Sequence, residues 1–364
     1  MKLFFKTGLI LLALTTFAVA QTAWTPELQT KTKALASPRI SPDGKKIVYT
    51  VSYEMLTADK SEYVNQIHLA NTDGTNSIQL TFADKSSSNP KWSPDGNSIA
   101  FTSPRKDNKS NIYVMRVGGG EAEMITDVKS SVQDFEWSPD GKWFAFLMTD
   151  AKSDEEEKND KARNDFRWVD ENLKHARLYA VSLEKDSSGK REPKKMTSEN
   201  YTVSSFDWSP DGKQIVFSHV KSSVANDWTT SDVSILDVAS GKISVIAKTA
   251  SAESSPIFSP DGKWIAMTIS DNPPRWAQHN DIHIYSVADG SLKKLVSSFD
   301  GQPNMVDWTA DGKSIYFTEA KGTKTGLYSI DVTANKITEY DETVGIFTVT
   351  MNAARNLFGM VWQS

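Results

Sequence analysis

One eleven-residue phrase recurs down this chain and limits the folds open to it more than any other feature. Its six near-copies read RISPDGKKIVY from Arg39, KWSPDGNSIAF from Lys91, EWSPDGKWFAF from Glu136, DWSPDGKQIVF from Asp207, IFSPDGKWIAM from Ile257 and DWTADGKSIYF from Asp307. The Asp of each copy gives the markers Asp43, Asp95, Asp140, Asp211, Asp261 and Asp311, separated by 52, 45, 71, 50 and 50 residues. Self-similarity at such a period is the mark of a repeat architecture, in which each copy is one supersecondary unit.

The phrase carries its own turn chemistry. Ser-Pro-Asp-Gly suits a type I turn, with Pro fixing φ at the second position and Asp at the third. Gly then supplies the left-handed residue that closes a bulged hairpin. The residue before Ser is large and apolar in every copy: Ile40, Trp92, Trp137, Trp208, Phe258 and Trp308. After Gly the residues alternate apolar and variable, as in Ile99-Ala100-Phe101, which reads as a strand. A third strand follows in each copy: QIHLA from Gln66, NIYVM from Asn111, RLYAV from Arg177, DVSIL from Asp232, DIHIY from Asp281 and GLYSI from Gly326. A polar turn and a fourth short strand, such as SIQLT or PKKMT, complete the unit. Four short strands per copy predict propeller blades, which bury their faces only against neighbours. The expected fold class is all-β, a β-propeller of four-stranded blades over residues 39–364, with the aromatics before each turn packed between blades.

The tail FTVTMNAARNLFGMVWQS, from Phe347, aligns as a degraded seventh copy. Met351 takes the Trp position and Ala354, 43 residues after Asp311, takes the Asp position. Seven blades are therefore expected, starting near 43, 95, 140, 211, 261, 311 and 354. The last copy stops at Ser364 inside its second strand, so the reading is of a chain cut short with an incomplete, poorly ordered final blade. The wide 71-residue gap holds an insertion over 150–175, charged and disordered-looking at first and then DFRWVDENLKHARLY. It reads as a solvated surface loop or as a long loop overhanging a binding face.

The first twenty residues have the order of a secretory signal. Lys2 and Lys6 precede the apolar run Gly8 to Phe17, and Ala18-Val19-Ala20 is a small-x-small cleavage site. The run is too short to span a bilayer, which takes about 20 apolar residues. An exported, periplasmic or secreted protein is expected, with no membrane span after cleavage. There are no cysteines, which excludes disulfides and a thiol nucleophile. A net charge of −5 without any basic stripe speaks against a nucleic-acid partner. Residues 21–38 form a lead-in, where Thr25 as cap, Pro26 at the first position and Glu27 in the first turn predict a short helix.

Catalytic motifs are hard to find. No Gly-x-Ser-x-Gly elbow occurs. The glycines of VGGGEAE, Val117 to Glu123, sit between the third and fourth strands of a blade, without the strand-to-helix context of a phosphate loop. His279 and His283 have helical metal-ligand spacing but lie in a loop and a strand, and His68 and His283 share the repeat position of Tyr113, Tyr179 and Tyr328. The repeated turn aspartates are explained by turn chemistry. No metal and no cofactor is expected. The remaining carboxylates, Asp154 to Glu157, Asp165, Asp170 and Glu171, suit a solvated face or a cationic group such as a peptide's terminal ammonium.

Three features together resemble the prolyl oligopeptidase family, in its acylaminoacyl-peptidase and bacterial dipeptidyl-peptidase-like branch. They are the Trp-Ser-Pro-Asp-Gly repeats, the opening WTPELQTKTKALASPRISPDGKKIVYTVS and the segment FRWVDENLKHARLYAVSL. The resemblance implies a propeller followed by an α/β-hydrolase domain carrying Ser, Asp and His, with the propeller screening peptide substrates by size. It also implies acidic residues that hold a free amino end, for which Asp170 and Glu171 are the candidates here. The hydrolase domain is absent from this sequence, so no catalytic residue carries over and the chain as it stands is expected not to hydrolyse peptides. The function expected is the substrate-gating propeller of an exported serine exopeptidase. The alternative is a free-standing periplasmic propeller that binds a protein partner, as Tol-system propellers with similar repeats do.

Overall fold

The computed structural model describes residues 25–164, 166, 171–277, 279–343 and 346–362. Two compact units divide at Thr32. In the first, helix α1 (Pro26–Thr30) starts as its residues predict: the Thr25 side chain accepts a hydrogen bond from the Leu28 N–H at 3.1 Å.

The second unit is a succession of six four-stranded antiparallel sheets and one two-stranded sheet, each with its strands hydrogen-bonded in chain order. Blade 1 comprises Ala34–Ile40, Lys46–Leu56, Ser61–Asn71 and Ile78–Gln79; blade 2 comprises Ser88–Trp92, Ser98–Lys106, Lys109–Arg116 and Glu123–Met124. Blade 3 holds Val132–Trp137, Trp143–Thr149, Ala176–Ser182 and Lys194–Lys195, and blade 4 holds Thr202–Trp208, Gln214–Val220, Asp232–Asp237 and Ile243–Ala247. Blade 5 is Glu253–Phe258, Trp264–Ser270, Asn280–Ser286 and Leu292–Lys294; blade 6 is Asn304–Trp308, Ser314–Lys321, Lys324–Asp331 and Lys336–Thr343. The two-stranded sheet is the hairpin Ile346–Met351 with Phe358–Trp362. This is an all-β propeller of four-stranded blades.

Each Ser-Pro-Asp-Gly turn is closed by the same three-way network. In the second blade Ser93 Oγ donates to Asp95 Oδ1 at 2.5 Å, the Asn97 N–H donates to the same oxygen, and the Ser98 N–H donates to Ser93 Oγ. Thr309 repeats the arrangement where Ser is replaced, with its hydroxyl 2.7 Å from Asp311 Oδ1. The accepted hydrogen bonds hold each of these aspartates below the usual carboxylate range, the Ser93 hydroxyl being the largest contribution at Asp95. Gly96 has φ of +71°, a left-handed conformation that glycine adopts without strain. A Cβ at that glycine would lie 3.4 Å from the ring of Pro42 in the preceding turn. The same Pro-on-Gly contact joins Pro94 to Gly141, Pro139 to Gly212, Pro210 to Gly262 and Pro260 to Gly312. The turns thus form a continuous row from the first blade to the sixth.

The core lies between blades. Five apolar clusters each combine residues of two neighbouring blades, such as Val48, Ile67 and Leu69 with Ile99, Phe101 and Tyr113. The Tyr/His column of the third strands is explained here: Tyr113 stacks on Phe101, Tyr179 on Phe146, Tyr328 on Phe317 and His68 on Tyr49. The aromatics before the turns pack between blades, and some are also hydrogen-bonded there. Trp92 Nε1 donates to the Arg39 carbonyl at 2.8 Å and Trp308 Nε1 to the Ile257 carbonyl at 3.3 Å.

The charged insertion is not featureless. Asp154–Lys161 forms helix α2, started by a reciprocal capping box between Ser153 and Glu156. Lys174 binds Glu156 at 2.7 Å and, with the Ser153 N–H, holds that carboxyl down at about 2. No residue of α2 is buried, so the acidic run is a solvated helix.

Candidate functional site

Because the strands of each blade alternate in direction, all first-to-second turns lie on one face of the ring. All second-to-third connections lie on the other. On the turn face the axis opens into a cavity of about 470 Å³ lined by residues of the turns and of the first strands. Its chemistry comes mainly from a single column of the repeat, the residue just before the large apolar one that precedes each turn. That column reads Arg39, Lys91, Glu136, Asp207, Ile257, Asp307 and, in the hairpin, Thr350. Five of these seven side chains are charged and all five line the cavity.

Three of the charges, Lys91, Glu136 and Asp307, are neutralised by direct partners. Lys91, buried to its tip, binds Asp134 at 3.0 Å and makes a short contact to Glu136. Burial pushes the Asp134 carboxyl up, but the charge and hydrogen bond of Lys91 and the amide of Asn89 outweigh it and leave it below the ordinary range. Arg355, from the hairpin turn, binds Asp307 at 3.1 Å, which opposes the rise that burial imposes on that carboxyl.

The other two lack such partners among the described residues. Arg39 has its Nε buried without a hydrogen-bond acceptor. Asp207 accepts one bond, from the Phe258 N–H at 2.7 Å. Burial within the ring, offset in part by that N–H and reinforced by the charges of Asp307 and Glu136, pushes the Asp207 carboxyl up to about 7. The mouth of the channel therefore holds an uncompensated cation on blade 1 and a poised carboxyl on blade 4.

The hairpin contributes the last side of the cavity through a turn that reproduces the repeat with other residues. Asn352 stands where Ser does, its side-chain oxygen accepting from the Asn356 and Leu357 N–H groups at 3.0 and 3.1 Å. Arg355 stands where Gly does, with φ of +53°.

The residues singled out from the sequence lie elsewhere. Glu171 is exposed in a bend of the insertion and is not part of the channel lining; Asp170 and Asp165 fall outside the described residues, as do residues 1–20. The insertion joins second and third strands, so it emerges on the face opposite the turns. His68 and His283 lie on third strands, where the repeat places them. His68 is hydrogen-bonded to the Tyr53 hydroxyl at 2.7 Å, and His283 Nδ1 lies 3.2 Å from the Asp281 carbonyl. The glycines after Val117 lie in a turn between strands, as read. Sequence reasoning passed over the charged column, although one position upstream of each conspicuous aromatic was signal enough.

Comparison with known proteins gives consistent relatives. The family model described as the TolB beta propeller domain matches residues 25–173 and 165–345. The chain is 30% identical over 337 residues to dipeptidyl-peptidase 5 of Porphyromonas gingivalis, an alignment covering 86% of this chain and 48% of that protein. It is 29% identical over 122 residues to the Tol-Pal system protein TolB of Francisella tularensis, covering 34% of this chain and 26% of that one. The Pyrococcus horikoshii acylaminoacyl peptidase superposes with a TM-score of 0.63 at 19% identity, over 91% of this chain and 50% of that chain, and shares the fold. The chain spans about half the length of the dipeptidyl-peptidase it matches.

Proposed function

Since the chain belongs to the TolB β-propeller domain family and is related along most of its length to the propeller part of prolyl oligopeptidase-family peptidases, we propose that it is the substrate-screening propeller of an exported serine exopeptidase. The observation that carries this reading is the 337-residue match to dipeptidyl-peptidase 5, which takes in 86% of this chain. In this reading the Ser, Asp and His of catalysis belong to an α/β-hydrolase domain outside this sequence, and peptides reach it past the propeller. The 346–362 hairpin is the inner half of a seventh blade, as its Asn352–Arg355 turn supports. Residues 1–20 serve as the export signal, and no described helix is long and apolar enough to cross a membrane.

Topology supports the placement of the screen. First strands run toward the turns and fourth strands run away from them, so a domain following the last blade meets the face that carries the insertion. Asp170 and Glu171 then hold the free amino end of the peptide. In the full-length parent, Asp170→Asn with Glu171→Gln raises KM for dipeptidyl substrates about tenfold and leaves amino-blocked substrates unchanged.

The second reading, a free-standing propeller that binds a protein partner, rests on the 122-residue match to TolB. Immunoblotting of the source cells with an antibody against the propeller separates the two. A band larger by about 250 residues, the upper size of a single domain, is expected from the peptidase reading. A band at the size of the mature chain overturns that reading in favour of the second.

A further inference from the structure

The axial mouth is a binding site with two chemically distinct ends. Of the charges lining it, Lys91 is spent on Asp134 and Glu136, and Arg355 on Asp307. That leaves the Arg39 guanidinium, whose Nε is buried without an acceptor, and the Asp207 carboxyl, held by one backbone N–H. A charged group kept in a cavity without its counter-charge costs free energy that a ligand of opposite sign recovers. Arg39 sits on blade 1 and Asp207 on blade 4 of a seven-sheet succession, so the two face the axis from opposite sides. Between them lies the cavity of about 470 Å³, within the range of about 300–1,000 Å³ that small-molecule sites occupy.

We infer that this mouth binds small zwitterions with a free ammonium and a free carboxylate in one molecule, free amino acids or short peptides, the carboxylate on Arg39 and the ammonium on Asp207. A planar guanidinium presents paired N–H donors that match both carboxylate oxygens, which makes Arg39 the specific end. Asp207 titrates with Glu136, Asp307, Lys91, Arg39 and Arg355 all facing the same cavity, and an arriving ammonium stabilises its ionised form. The site is on the turn face, opposite the insertion with Glu171, and it exists whether the propeller precedes a hydrolase or stands alone.

The test is isothermal titration of the full chain with glycine, diglycine and triglycine, and with the acetylated and the amidated form of whichever binds best. Each added residue lengthens the ligand by about 3.3–3.6 Å, so the series reads the span between the two ends. Saturable one-site binding is expected, weakened about tenfold by blocking either end. Arg39→Gln should erase the difference between the free acid and its amide. Asp207→Asn should erase the difference between the free amine and its acetyl form. Arg39→Lys, which keeps the charge, retains a preference for the free acid and guards against a variant that merely fails to fold. Equal binding of blocked and free forms, or no saturable binding, overturns the inference, and neither outcome bears on the size of the native product.

Discussion

The five junctions among the four-stranded blades and the two junctions flanking the 346–362 hairpin are built from different chemistry. Between blades 5 and 6, Ala266, Ile282, Ile284 and Leu295 meet Trp308, Ile315, Phe317 and Tyr328, all buried. The other four interior junctions have equivalent clusters, and none of the five clusters includes a hairpin residue whose side chain is described. The hairpin is held against blade 6 by the edge-on contact of Phe358 with Tyr316 and by the ion pair of Arg355 with Asp307. Against blade 1 it relies on the Thr350 hydroxyl, which donates to the Pro38 carbonyl at 2.5 Å, and on Leu357 close to Gly44. Apolar burial is worth roughly 25 cal/mol per Å², whereas a single hydrogen bond or exposed ion pair nets about 1 kcal/mol or less. Among the described residues, the interior junctions are therefore held by apolar clusters and the hairpin mainly by polar and edge-on contacts.

That contrast can be broken most directly by truncating one large side chain on each side of it. Phe317, fully buried in the blade 5–6 junction, should cost about 3–5 kcal/mol on replacement by Ala, and Phe358→Ala about 1 kcal/mol, both by urea denaturation. Equal losses would mean that the hairpin is as deeply committed as the interior blades. Hydrogen exchange comes next. Amides of the hairpin should exchange at least about tenfold faster than those of Ser98–Lys106, because an element held by few apolar contacts opens locally at lower cost. Exchange as slow as in the second blade refutes that picture.

A smaller effect is expected from Asp207. Its carboxyl is raised to about 7 in the folded chain, against an unfolded value near 3.9, so the folded state binds the extra proton between those limits. Stability contributed by this group is fully present below about pH 4 and is lost as pH rises through about 7. Asp207→Asn should therefore raise Tm at pH 8 by about 2–4 °C and leave it unchanged at pH 4, read by circular dichroism. A gain of the same size at both pH values would show that charge is not the cause. The smallest effect is at Ala310, the one turn position where Pro is missing from the six copies. Ala310→Pro should stabilise by about 0.4–1 kcal/mol through the unfolded chain, and a destabilised variant would show that this turn departs from its five counterparts.

How much of this was legible in the sequence follows from where each signal sits. The turns were readable because Ser, Pro, Asp and Gly each act within four residues. The blades were readable because the strands of one copy pair in chain order. Helix α1 was readable from Thr25, Pro26 and Glu27 alone. Helix α2 was not, although Ser153 and Glu156 have capping-box spacing, because no apolar stripe follows them and a run of acids resembles a solvated loop. The charged column of the channel was missed for a different reason. Arg39, Lys91, Glu136, Asp207 and Asp307 look like ordinary variable surface positions until the ring brings their copies face to face. The acidic pair Asp170 and Glu171 was drawn from the resemblance, and the channel lining does not include Glu171.

The Pro-on-Gly contact between successive turns has a consequence for how such a chain can grow or shrink. The contact is never made within one copy: each unit offers a proline forward and a glycine backward. Duplicating or deleting a whole unit between Pro42 and Gly312 would leave every seam with one donor half and one acceptor half, and the ring of turns would reseal without a compensating change. At the seam between blade 6 and the hairpin both halves have been exchanged together, Ala310 for the proline and Arg355 for the glycine. A unit moved to or from that seam would find no matching edge, so gain and loss of copies are confined to the units before it.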